Sequence, residues 1–98
     1  MSGAEDRRLQ LLQKATLAIG EDWAKTWLAE MREQRRVVSG GWPGTLPEAS
    51  ARARAVLSAE LVRRRMAPLS AKELADATRR VYEQAKREWL DAADGYGR

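Results

Sequence analysis

The most suggestive chemistry in this chain lies in its arginines: Arg52, Arg63, Arg64 and Arg65, with Arg35 and Arg36 nearer the N-terminus. A guanidinium presents N–H donors in a planar fork that matches phosphate oxygens, so a cluster of arginines points to contacts with a nucleic-acid backbone. Such contacts are insensitive to base sequence and sensitive to salt. Residues 45–66 hold five arginines against two glutamates, a net +3, whereas residues 71–93 hold five basic and five acidic side chains. Most of the chain's net charge of +4 therefore sits on one segment. The run Arg63-Arg64-Arg65 also falls in the last turn of a predicted helix, where the helix dipole favours cations whatever the partner.

Two other constellations carry less. Tyr82 and Lys86 have the Tyr-x-x-x-Lys spacing in which a lysine activates a tyrosine for hydride-transfer chemistry. That chemistry needs a nicotinamide held on a Gly-x-Gly-x-x-Gly turn between strand and helix, and neither motif nor strand is present. Tyr82 reads as a core residue and Lys86 as a surface one. The segment Ser39-Gly40-Gly41-Trp42-Pro43-Gly44-Thr45 is glycine-rich and precedes a helix, where free amides favour anions, but Leu46 follows where a phosphate-binding loop needs lysine. It reads as a reversal with Trp42 folded over the end of a helical bundle, or with Trp42 in solvent as an anchor for a partner.

The residues that are missing bound the function further. There is no Cys and no His among 98 residues, so a disulfide, a thiolate nucleophile, a Ser-His-Asp triad and a His/Cys zinc site are all excluded. No cofactor or small-molecule substrate is suggested, and binding is the better expectation than catalysis. No apolar stretch reaches the roughly 20 residues that cross a bilayer, and no hydrophobic run follows the charged N-terminus. The expectation is a cytoplasmic protein without a membrane partner.

These side chains must be positioned by helices, because caps and periodicity predict an all-α fold and no segment alternates as a strand does. The chain reads as a single domain over residues 1–98, a compact bundle of four helices at about 4–19, 21–38, 45–66 and 71–93 with a short tail at 95–98. Ser2/Glu5, Thr45/Glu48 and Ser70/Glu73 have capping-box spacing, and Gly20 and Gly95 stand where helices stop. In the first segment, apolar residues cover more than half the circumference, which predicts burial or an interface. In the second, Trp23, Ala24, Trp27, Leu28 and Met31 share one face, so the two tryptophans read as core rather than as a base-stacking platform. In the fourth, Leu74, Thr78, Val81, Tyr82, Ala85, Trp89 and Ala92 form one stripe.

The third segment differs in having two apolar arcs. One contains Leu46, Ala49, Ala53, Val56, Leu57 and Leu61, and the other Ala51, Ala55, Ala59, Val62 and Met66. This predicts a central helix, or one packed inward on one face and against a second subunit on the other. Segments three and four also have the outline of a helix-turn-helix, although Lys72, Glu73 and Asp76 would put two acids against phosphates. The leading expectation is a non-enzymatic, nucleic-acid-associated accessory or regulatory protein touching the phosphate backbone through Arg52, Arg63, Arg64 and Arg65, with Arg35 and Arg36. The alternative is a protein-interaction module, homodimer or adaptor, using Trp42, Ala51, Ala55, Ala59 and Val62.

Overall fold

The structure, a computed structural model, describes residues 3–34 and 41–96, with side chains to residue 93. Among these residues it is all-α, with three helices rather than four: α1 (Gly3–Glu33), α2 (Leu46–Arg63) and α3 (Ala71–Tyr96). The first two predicted segments are one continuous 31-residue helix that runs through Gly20. Glycine costs about 1 kcal/mol in a helix interior, which is why it reads as a stop, but here tertiary packing requires it. A Cβ on residue 20 would lie 2.8 Å from the Val81 carbonyl oxygen, 3.1 Å from the Ala85 nitrogen and 2.7 Å from the Gln84 Cβ. Gly20 is the point where α1 and α3 touch backbone to backbone. Residues 95 and 96 of the expected tail belong instead to α3, which continues through Gly95 to Tyr96, while residues 97 and 98 lie outside the described residues. Residues 35–38 of the second predicted segment, including Arg35 and Arg36, lie outside the described residues, as does Ser2 of the first capping box.

The two other boxes form as the spacing predicts. Thr45 caps α2 by accepting from the Glu48 amide at 3.3 Å, while the Thr45 amide donates to the Glu48 carboxylate at 3.1 Å. At the start of α3 the Glu73 amide donates to Ser70 Oγ at 3.1 Å and the Ser70 amide to Glu73 Oε1 at 2.9 Å. Helix α2 ends in a Schellman arrangement: the Arg65 amide bonds the Val62 carbonyl, the Met66 amide bonds the Leu61 carbonyl, and Arg65 sits at φ 55°. That left-handed position usually falls to glycine.

The core is built from one row of each helix. Leu12, Thr16, Ile19, Trp23 and Ala24 face inward from α1, Ala49, Ala53, Leu57 and Leu61 from α2, and Ala77, Val81, Ala85 and Trp89 from α3. On α2 and α3 the buried residues recur every four positions and include several alanines, which lets the helices approach closely. Thr16 is polar and fully buried, and its hydroxyl is satisfied by donating to the Gln13 carbonyl at 2.8 Å. The central helix is α3, not the third predicted segment: α1 and α2 both pack chiefly on α3 and only sparingly on each other. The molecule measures 49 × 22 × 19 Å, so its long axis is set by α1, which rises about 46 Å over its length.

Candidate functional site

The sparing contact between α1 and α2 leaves a groove along their seam. It has a volume of about 560 Å³ and is lined on the α1 side by Leu11, Lys14, Ala15, Ala18, Ile19 and Asp22, and on the α2 side by Arg52, Ala55, Val56 and Glu60. Its floor is apolar and its four charged residues stand near its two ends. Two contacts establish that the helices run antiparallel here: the Arg52 guanidinium lies 5.3 Å over the Trp23 ring, and at the other end Arg8 donates to the carbonyls of Ala67 and Pro68 at 2.9 and 3.1 Å. Asp22 and Arg52 therefore occupy one end, Lys14 and Glu60 the other. Beside the groove the outer face of α2 is bare. Ala51, Ala55, Ala59 and Val62 are all exposed, Val62 at 76% of its surface and Val56 at 48%.

The expected arginine cluster is divided by this geometry. Arg63 and Arg64 share one partner, the Glu60 carboxylate, with the shortest Arg63 contact at 2.6 Å. Their hydrogen bonds hold the Glu60 carboxyl below its ordinary range. Arg65 is exposed beyond the helix end. Arg52 is committed to Trp23 and lies eleven residues before Arg63, about 16 Å along the helix. Arg52 and the Arg63–Arg65 run thus belong to opposite ends of α2.

Trp42 packs inward for the most part. Its ring is half-buried, edge-on to Trp23 with centroids 4.9 Å apart and to Trp89 at 5.7 Å. The indole folds back over Gly44, where any Cβ would collide with the ring. Among the described residues the buried Nε1 atoms of Trp23 and Trp42 have no hydrogen-bond partner, and the cluster rests on apolar and ring-edge contacts. One tryptophan each from α1, the α1–α2 connection and α3 thereby closes the end of the bundle at which Arg52 sits.

The opposite end is closed by Arg8, which sequence reasoning did not single out. Its Nε and Nη2 donate to the two Glu73 carboxylate oxygens at 2.7 and 2.8 Å, in addition to the two carbonyls of the α2–α3 connection. The Arg8 bonds, reinforced by the Ser70 amide, pull the Glu73 carboxyl down to about 2 against a smaller opposing effect of burial. The same pairing raises the Arg8 guanidinium above its ordinary value. An arginine in the first turns of a helix has no sequence signal for so distant a partner.

Of the groove residues on α1, Leu11, Ala15 and Ala18 belong to the wide apolar coverage for which burial or an interface was expected, whereas Lys14 and Asp22 were not named as site residues from sequence. No family model matches the chain, and neither does a curated protein or a solved structure. None of the helices is long and apolar enough to cross a membrane, and among the described residues no group of three or more His, Cys, Asp or Glu side chains could hold a metal ion.

Proposed function

We propose that this protein is a non-enzymatic protein-interaction module whose partner docks along the seam of α1 and α2. The observation that carries this reading is the apolar groove of about 560 Å³, continuous with the exposed Ala51, Ala55, Ala59 and Val62. A folded chain gains from covering such a surface, and contiguous apolar patches with a charged rim are characteristic of interaction sites. The alanines have no side chain beyond Cβ, so a partner helix could come close to the α2 backbone. A photo-activatable residue at Val56 tests this. It should give a discrete cross-linked product in cells expressing the chain, and that product should disappear with Ala55→Arg. The same probe at the exposed Lys72 should give none. Absence of a product at Val56, or the same product from both positions, would overturn the reading.

A second reading keeps one observation. Arg63, Arg64 and Arg65 are exposed at the end of α2 with a single carboxylate, Glu60, among them, so a local positive excess remains for phosphates. In this reading the protein is a nucleic-acid-associated accessory factor that contacts the backbone through these arginines. Arg52 contributes separately from its own end of α2.

A further inference from the structure

We propose that the α1–α2 groove face packs against the same face of a second copy of this chain, related by a two-fold axis that runs across both helices at the level of Ala18 and Val56. This rests on the interaction-module reading and names its partner. The argument is charge complementarity. On α1, Lys14 and Asp22 flank Ala18 at four residues on either side; on α2, Arg52 and Glu60 flank Val56 in the same way. Each helix thus carries a positive and a negative group about 12 Å apart, with the positive group toward its N-terminus. A two-fold axis across the helices lays each on its own copy in antiparallel fashion. Lys14 then meets the partner's Asp22, and Arg52 meets the partner's Glu60, each pair occurring twice.

One axis serves both helices only if the two midpoints are level, and they are. Ala18 and Val56 line the same groove, and counting from Trp23 opposite Arg52, one residue for one in the antiparallel direction, sets Ala18 at the level of Val56 and Leu57. The groups involved are also available. Among the described residues the side chains of Lys14, Asp22 and Arg52 make no ion pair, and Arg52 is exposed although its guanidinium lies 5.3 Å from the Trp23 ring centroid. Glu60 holds Arg63 and Arg64, but a carboxylate has about four acceptor positions. At the axis, between the charged ends, Ala18 and Val56 would each face the same residue of the other copy, with Ala15 and Ala55 close beside them. The result is a four-helix interface of two α1 and two α2 helices, with the bare alanine face of α2 along its edge.

Sedimentation equilibrium of the intact chain over a wide concentration range, with circular dichroism as a check on folding, tests the proposal. The wild type should follow a monomer–dimer equilibrium. Lys14→Glu should weaken the dimer by about tenfold or more, because it sets two carboxylates against each other. Adding Asp22→Lys to that variant should restore the dimer, since the reversed pair matches again across the axis. Val56→Asp should give a folded monomer. A wild type that stays monomeric at all concentrations overturns the two-fold dimer, and so does a dimer indifferent to Lys14→Glu or not rescued by the double exchange. If the chain is monomeric while the Val56 probe still cross-links to a different protein, the self-pairing fails and the interaction module stands. If neither dimer nor cross-link forms, both fail.

Discussion

Glu73 receives a forked pair of bonds from Arg8 and also caps α3 through the Ser70 amide, so one carboxylate joins the first turns of α1 to the start of α3. Its ionised form is held by these donors, which takes its titration from an ordinary 4.5 down to about 2. A carboxyl with a depressed folded value adds stability that is present above its ordinary range and lost as the pH falls through the folded one. The contribution should therefore be complete at neutral pH and fade between about 4.5 and about 2. Arg8→Ala should cost about 1.5–3 kcal/mol at neutral pH, the range for hydrogen bonds to charged groups. In denaturant titrations the gap between wild type and Arg8→Ala should shrink across that same acid window; a gap constant with pH would show that the clamp acts through packing alone. The Glu60 pairs with Arg63 and Arg64 differ, because they are exposed, share one acceptor and are screened by salt.

At the scale of helices, the decisive residue is Gly20. Local propensity says that α1 should gain from alanine there, by about 1 kcal/mol. Packing says the opposite, because the added methyl would press on the Val81 carbonyl and the Ala85 nitrogen, backbone atoms that move only if α3 moves. Overpacking of this kind costs about 1–3 kcal/mol, so Gly20→Ala should be destabilising by up to about 2 kcal/mol net. Gly3→Ala, with nothing within 4 Å of the new methyl, is the control and should be close to neutral. A urea midpoint for Gly20→Ala at or above wild type would mean that the α1–α3 crossing gives way. The contrast explains what was legible locally. The Thr45/Glu48 and Ser70/Glu73 boxes could be read because both partners lie three residues apart in one turn. The continuity of α1 could not, because the residues that make glycine necessary are some sixty positions away on α3.

Across the whole molecule, α3 acts as the spine, with α1 and α2 packed on it and a seam left open between them. This architecture decides how the positive charge is displayed. A net +4 concentrated on one segment suggests one patch, but on the folded chain Arg52 belongs to the tryptophan end while Arg63, Arg64 and Arg65 belong to the other. If the second reading holds, the contacts are few and their salt dependence is shallow. Titrations with duplex and single-stranded DNA should then give a slope of log affinity against log salt of about −3, for about three phosphates contacted. Replacing Arg65 by alanine should reduce that slope by about one. Binding that is absent at low salt, or unchanged by salt, would remove the nucleic-acid reading and leave the groove as the functional surface.

The all-α class, the two caps and most of the apolar rows of α2 and α3 followed from the sequence alone, because each depends on residues within a few turns of one another; Leu46 and Val56 of the expected inward arc are exposed instead, and Ala77 joins the α3 row unannounced. The doubled apolar arc over residues 46–66 was legible in the same way, and with it the alanine face that the structure leaves bare. Which helix is central, whether α1 breaks at Gly20, and where Trp42 and Arg8 find their partners were settled only by tertiary contacts between positions far apart in the chain. The groove belongs to this second group. It exists because two helices pack on a third more tightly than on each other, a balance among three interfaces that no single segment encodes.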